Sequence, residues 1–525
     1  MSVSSETSFC LQGGFVVDGS GRPPFQANVL IDQGKIIDIS QEFIAGAGQH
    51  IDCTGKYIAP GFIDAHSHMD YYAATENPEF FDSFTRQGIT SFIGGNCGFS
   101  PCAAKKDGPH KPLLDNTLFE VPSDKSVVMD DLHCFDQTLA QSDIEHGFYS
   151  MVGHGSYRTS ISGYEARDLN ESEEELLFQK LEEALGKGAI GISLGLQYKP
   201  GVFVSRDEII KVAKLCKKHG KVMAVHARAF SKLSGTYPLK PFGRAHNLLA
   251  IEDMISVAEE TGVRLQFSHL IFVGKQTWQT AAEALDLIQN ARERGVDICF
   301  DIFPYDCGAT LLNTMFPDWF MASMPAAATS MLARLRLRAE LEVGFRLVGF
   351  SYGDIVVSYA ACEEYDGMEG KSISDIAKLK QQSKFNTLLD ILGKSNSQAR
   401  VLNNAYYGPG HIETLMKNPA VLFSTDAWPE LHGLQNPAAF GSFPRFLQLS
   451  REQKNISLEN CIRKMTGATA DRFGISGVGY LKEGYQADVV VFDQSAVSDN
   501  TSAEDHSAAP VGIEQVYIKG KRMSL

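Results

Sequence analysis

The chain has 525 residues, 44% apolar and 21% charged, with a formal charge of −15. This composition supports a substantial core and excludes wholesale disorder, and the acidic balance excludes nucleic acid or an anionic membrane as partner. No apolar run reaches the roughly 18–20 residues that span a bilayer. The N-terminal MSVSSETSFCLQGG shows neither a basic leader nor an apolar signal core, and the ten cysteines lie scattered without paired spacing. Reduced thiols and a cytoplasmic location are therefore expected.

The chain opens in β texture. Residues 15–18, 27–32 and 35–40 read as short strands, with Gln33-Gly34 as a hairpin turn. The far end is similar, with ADVVVFD at 487–493 and GIEQVYIK at 512–519. Neither end is large enough for a core of its own. Residues 1–60 and 480–525 are thus expected to pack together as a small β-sandwich domain.

Between them, in residues 61–479, strands and helices alternate. A helix at 172–187 opens on a capping box, Ser172 with Glu175, and leads into a strand at 189–194. Ser205 and Glu208 repeat the box, and that helix runs to His219-Gly220 before a strand at 222–226. Helices at 247–262 and 276–295 precede strands at 263–269 and 296–305. Such repetition forces parallel strands with helical crossovers. An open doubly wound sheet would want a Gly-rich phosphate turn after the first strand, but the sequence there is His-Ser-His. The expected fold is α/β, a (β/α)8 TIM barrel. Its rhythm fails at 310–420, a stretch too long for a loop. This segment reads as a large insertion between strands 7 and 8, with helices at 326–342 and 372–392 and a β-like piece at 354–358. Its expected role is a lid over the barrel mouth.

Seven of the apolar runs end on residues suited to metal binding or proton transfer. They are His66 with His68, Cys97, His154, His226, His269, Tyr305 with Asp306, and Asp426; an eighth, ending at 194–196, carries none. The C-terminal strand tips are where a barrel enzyme assembles its site. His66 and His68 share a side of an extended chain and can reach one divalent ion. Cys97, among Gly94-Gly95 and Gly98, is either a zinc-binding thiolate or the nucleophile of a Cys-His pair. With His226 and His269 it would supply three zinc ligands and leave an open position. Closure of the barrel would bring Asp426 beside His66 and His68, where a carboxylate can carry a proton.

These residues and their order resemble the metal-dependent amidohydrolase superfamily, and within it the D-aminoacylase (N-acyl-D-amino-acid deacylase) branch. The resemblance covers nearly the whole chain and is most specific at GNCGFSP, around Cys97. It continues through GFIDAHSH, GHGSYR, GISLGLQYKPG, FSHL, FDIFPY, FGSFPR and GYLKEGYQADVVVFD. It implies a tight zinc site from Cys97, His226 and His269, and a weaker second site from His66, His68 and Asp426 with Cys97 near both. It also implies that Asp426 is the general acid/base. Both lines lead to metal-assisted amide hydrolysis of a small molecule, with His154 or Tyr305 helping at the oxyanion.

Two positions depart from the branch. Relatives acting on free N-acyl-D-amino acids are similar to one another in a lysine after the sixth-strand histidine and an arginine after the eighth-strand aspartate. Here Ile271 and Ala438 stand at those places. Two charge-assisted hydrogen bonds to a carboxylate are missing, each worth about 1.5–3 kcal/mol. Arg228 or Lys199 could replace them. The expected substrate is a linear N-acyl amine or amino-acid derivative without a free α-carboxylate in the usual anchor. A conventional N-acyl-D-amino-acid deacylase, a cyclic-amide hydrolase and an inactive binding protein are the alternatives. The cyclic-amide reading is opposed by Cys97 and by the lack of a ligand-competent lysine in AIGISLGL.

Overall fold

Both ends of the chain contribute to one sheet. The structure, a computed structural model, describes residues 8–525 apart from Gly46, Lys106, 116–117, Glu120, 123–126, Leu239 and 241–242. Of the N-terminal stretch read as carrying no leader, residues 1–7 lie outside the described residues. Strands β1 (Phe9–Val16), β2 (Phe25–Asp32), β3 (Lys35–Ser40), β4 (Gln49–Asp52) and β5 (Tyr57–Pro60) come first. Gln33 and Gly34 take φ of +48° and +73° in the turn joining β2 to β3.

The strands that follow are β6 (Phe62–Asp64), β7 (Ile89–Gly94), β8 (Gly147–Ser150), β9 (Val152–Gly153), β10 (Gly191–Gly195), β11 (Val222–His226), β12 (Arg264–Phe267) and β13 (Ile298–Ile302). An insertion then carries β14 (Gly308–Leu311), β15 (Ile355–Tyr359) and β16 (Arg400–Asn403), before β17 (Val421–Phe423). The chain ends with β18 (Val489–Phe492), β19 (Ile513–Ile518) and β20 (Lys521–Arg522).

β18 pairs antiparallel with β5, giving an eight-stranded sheet in the order β20-β19-β18-β5-β1-β2-β3, with β4 on β1. Side chains alternate faces along a strand, so β18 serves two cores. Val489 and Val491 pack with Val29, Ile31 and Ile58, whereas Val490 and Phe492 join the main core with Phe62.

β9-β10-β11-β12-β13-β17 in turn form a six-stranded sheet and β6-β7-β8 a three-stranded one, with every pairing in both parallel. The two sheets meet at both margins. On one side the Ala65 N–H donates to the Phe423 carbonyl at 3.2 Å and the Asp426 N–H to the His66 carbonyl at 3.1 Å. On the other, Met151 alone separates β8 from β9; its N–H donates to Gly94 O, and the Ile190 N–H to Ser150 O, each at 3.0 Å. The first margin fixes the spacing between His66 and Asp426.

Local signals shifted some helix limits. The helix expected at 172–187 spans Glu171–Gly186, and its capping box is Asn170 with Glu173. Asn170 accepts from the Glu173 N–H at 3.0 Å, while Ser172 donates its hydroxyl to Asn170. Ser205 does cap Arg206–Lys218, but the Glu208 carboxylate turns inward to His154 and Arg158 instead of completing a box.

The insertion has its own antiparallel sheet, β14-β16-β15, and its own core around Leu312, Phe320, Leu337, Ile355, Leu388 and Val401. Each of its expected long helices is divided. Ser330 separates Ala326–Thr329 from Met331–Val348 and caps the latter. Ile373–Leu379 and Lys384–Lys394 are split around Gln381, at φ +53°. Backbone bonds from Phe272 to Tyr406, Gly274 to Ala405, Tyr406 to Asp306 and Leu434 to Ser358 tie the insertion to the loops after β12, β13 and β17. Those are the loops that follow His269, Tyr305 and Asp426. Among the described residues, no helix is long and apolar enough to cross a membrane.

Candidate metal centre

Three strand tips end in left-handed backbone on residues that are not glycine: Cys97 (φ +54°), His269 (φ +30°) and Asp426 (φ +47°). That region is sparsely populated by L-residues and is retained where the surroundings enforce it. Around Cys97 the enforcement is visible. Ser193 on β10 donates to Gly95 O at 2.5 Å and accepts from the Gly98 N–H at 2.9 Å, and the Tyr198 hydroxyl donates to Cys97 O at 2.5 Å. A Cβ on Gly95 would lie 1.9 Å from Met151 O, and one on Gly98 2.6 Å from Gly195 N. Only glycine fits either place. The strand whose tip carries no ligand type thus holds the cysteine loop.

The side chains converge. Cys97 Sγ lies 3.3 Å from His66 Nε2 and 3.3 Å from His269 Nε2. His226 Nδ1 is 2.9 Å from His269 Nε2, and its Nε2 is 3.1 Å from Gln197 Oε1. Asp426 Oδ1 stands 3.4 Å from His66 Nε2 and 3.7 Å from His68 Nε2. Two donor sets result, His66–Cys97–His269 and His66–His68–Asp426, each with its atoms within 4.8 Å of one another. Neighbouring ligands of a tetrahedral zinc are about 3.3–3.6 Å apart, given the usual Zn–N and Zn–S lengths, so the Cys97 spacings fit a shared ion. His68 Nδ1 and His269 Nδ1 are buried without a hydrogen-bond partner. Coordination through Nε2 would fix their tautomers. Cys97 thus meets His66, His226 and His269, so that the groups of both expected sites lie around one thiol.

The electrostatics suit a cation. Burial works to raise the Cys97 thiol, but His66 and His269 outweigh it and hold the thiol well below its ordinary value. Burial likewise works to lower His66 and His269, yet Cys97 and Asp426 raise both. Burial lowers His226. Asp426, with 21% of its side chain exposed, and the half-buried His226 are the accessible members.

Two aspartates that the sequence reading passed over position the ligands. Asp64 accepts from the backbone of His66 and Thr425 at 3.2 and 3.0 Å, and from the Thr425 hydroxyl at 2.5 Å. Asp301 Oδ1 lies 3.1 Å from His66 Nδ1 and accepts from the His269 N–H at 2.8 Å, while Gln266 holds Oδ2. A carboxylate on the far nitrogen of a ligating histidine orients the ring and raises its basicity. Aromatic rings surround the cluster. Phe119 stacks on His68 at 4.5 Å with Trp428 edge-on, Phe230 packs on His226 and His269, and Tyr198 meets His226 at 4.9 Å.

Other expected site residues are engaged elsewhere. His154 is buried with Nε2 2.9 Å from Glu208. The Tyr305 hydroxyl donates to Asp499 of the C-terminal segment at 2.9 Å, and Arg445 lies over its ring. Neither is bonded to the cluster among the described residues. Asp306 is exposed and contributes its carbonyl to Tyr406. Lys199 is exposed on the loop after β10. Arg228 is half-buried and donates to Val202 O and Val204 O. Ile271 and Ala438 are buried, the latter at the start of the helix Ala438–Gln453.

Comparison with known proteins places the chain in a family. A family model described as the amidohydrolase family matches residues 57–310, and a second of the same description matches residues 345–523. The D-aminoacylase of Alcaligenes xylosoxydans xylosoxydans is 28% identical over 511 residues, 97% of this chain and 93% of that protein. The structure of N-acyl-D-glutamate deacylase from Bordetella bronchiseptica, complexed with zinc and a phosphonate mimic of the tetrahedral intermediate, is 25% identical. It superposes with a TM-score of 0.79 over 98% of this chain and 96% of that one. A D-aminoacylase crystal structure, 27% identical, gives 0.77 over the same shares. The chain therefore belongs to the amidohydrolase family, in its D-aminoacylase branch, and is a metal-dependent amide hydrolase.

Proposed function

We propose that this enzyme hydrolyses a linear amide, an N-acyl amine or N-acyl amino-acid derivative, with zinc in a tight site around Cys97 and a weaker second site at His66, His68 and Asp426. The observation that carries this reading is the pair of donor sets sharing His66, with a partly exposed carboxylate at their edge. Cys97, His66 and His269, with His226 beside them, would hold the ion. Bound there, zinc supplies Lewis acidity and an activated water. The protein's own groups do the rest. Asp426 takes a proton from the attacking water and returns it to the leaving nitrogen, which otherwise would depart as an unstable amide anion. Asp64 and Asp301 keep Asp426, His66 and His269 in register, and the aromatic rings limit water around the reacting centre. His154 and Tyr305 are bonded to Glu208 and Asp499 and carry no step here.

The same reading takes the two parallel sheets as one closed (β/α)8 barrel of residues 61–479. The eight-stranded sheet becomes a small sandwich from 1–60 and 480–525, and residues 310–420 a lid, attached to the loops around the site.

The substrate reading rests on two positions where relatives carry cations. Ile271 and Ala438 offer no charge, so a free α-carboxylate there would lose hydration without a partner. A neutral derivative or a larger amide fits better. One observation favours the conventional deacylase instead: Arg228, half-buried after β11, has no carboxylate partner among the described residues and could receive the substrate's. Comparing kcat/KM for matched N-acetyl-D-amino acids and their amides separates the two. The proposal expects the amides to be favoured. Free acids favoured tenfold or more would install Arg228 as the anchor and make this an ordinary D-aminoacylase.

A further inference from the structure

The helix Met331–Val348 is apolar on two opposite faces. Leu337 and Leu341 are buried in the insertion's core. On the other side Met331 (75%), Leu332 (80%), Leu335 (55%), Val343 (57%) and Leu347 (54%) are exposed, and Ala339 is exposed among them. A contiguous exposed apolar stripe of this kind marks an interaction surface.

We propose that this face binds a second copy of the chain, the two helices crossing antiparallel with the twofold axis at Ala339. The row spaced by four is its own complement about that residue, while Leu332 is mirrored by the exposed Arg346. Met331 and Leu347, Leu335 and Val343, and Arg336 and Glu342 stand at equal distances on either side of it. A small residue at the centre lets two helices approach closely, and a row spaced by four is the ridge used in the commonest helix crossing.

The charges select the direction and the partner. Arg336 pairs with Glu340 and Arg338 with Glu342, each at 2.8 Å, one pair on either flank of the stripe. Antiparallel crossing about Ala339 puts Arg336 of one copy on the same flank as Glu340 of the other, and Arg338 with Glu342, each pair offset by about 3 Å along the axis at 1.5 Å per residue. Parallel crossing would set arginine beside arginine. An acidic membrane would repel a chain of formal charge −15. A single helix pair buries less than the roughly 1,600 Å² of a standard interface, so the dimer is concentration-dependent.

Sedimentation velocity on the full zinc-loaded protein tests this, with wild type compared with two charge-uniform variants. Wild type should pass from monomer to dimer as concentration rises. R336E/R338E and E340R/E342R should each weaken self-association tenfold or more, and an equimolar mixture of the two should recover the dimer. Ala339→Cys in the otherwise native chain, which leaves the charge pairs intact, should form a disulfide-linked dimer under mild oxidation where wild type does not. Wild type that stays monomeric, variants that dimerise like wild type, or Ala339→Cys that fails to cross-link would overturn the proposal. So would saturation of the stripe by phosphatidylserine vesicles in place of a second copy.

Discussion

Asp64 and Thr425 join the first and last parallel strands through two hydrogen bonds, from the Thr425 N–H at 3.0 Å and its hydroxyl at 2.5 Å. The same carboxylate accepts from the His66 N–H, so one buried side chain sets the distance between the His66 and Asp426 strand tips. Burial pushes the Asp64 carboxyl up to about 7, against the lowering effect of Thr425. Asp64→Ala would strand three buried donors, each costing about 1–3 kcal/mol. Its midpoint in denaturant should fall by several kcal/mol equivalent, and kcat should fall more than KM changes. Thr425→Val, which removes only the hydroxyl bond, should cost about 1 kcal/mol. Equal, small effects from both would mean that the seam is held elsewhere.

Cys97→Ala should lose both bound zinc and turnover, because the thiol touches two imidazoles at 3.3 Å and belongs to the proposed tight site. Elemental analysis alongside an amidase assay distinguishes the roles. Full zinc content with turnover abolished would restore the nucleophile reading.

Asp426→Asn should retain the tight metal and lower kcat by about two to four decades, the range of a general acid/base. Its placement 3.4 Å from His66 Nε2 makes it the nearest accessible carboxylate to the cluster. Near-normal turnover in this variant would assign the proton to another group.

His146 gives the fold a pH dependence far from the site. Burial, helped by Lys519, brings this histidine from 6.5 down to about 3, with Thr85 at 3.1 Å and Phe81 and Phe92 against the ring. The unfolded chain then binds a proton that the folded one refuses. The stability it contributes is complete above pH 6.5 and is lost as pH falls toward 3, by up to about 1.4 kcal/mol per unit. Thermal melts from pH 7 to 4 should show a shallower decline for His146→Gln than for wild type. Parallel declines would show that other groups carry the acid sensitivity.

What was legible in the sequence was periodic or punctuated. The βα rhythm announced the parallel strands, and the apolar runs placed His66, His68, Cys97, His226, His269 and Asp426 at strand ends, where the structure gathers them. Long-range partners were not legible. Tyr305 looked free for substrate because Asp499 lies 194 residues away. Asp301 was hidden inside the apolar FDIF, although a buried acid in such a strand is itself a sign of a positioned charge. Glu208 read as half of a capping box because local spacing cannot show that a carboxylate is drawn inward by His154 and Arg158. Asn170 won the cap from Ser172 by the same kind of competition, decided by where the chain enters the helix.

The central claim is that amide hydrolysis here depends on zinc held at Cys97 and its histidines, and a titration of the metal-free protein tests it most directly. Zinc would be added stepwise to chelator-treated enzyme while the release of free amine from an N-acyl substrate is followed. The account predicts no turnover without metal, recovery in step with the first equivalent of zinc, and no recovery in Cys97→Ala. Undiminished hydrolysis by the metal-free protein, or zinc-restored hydrolysis in Cys97→Ala, would contradict it.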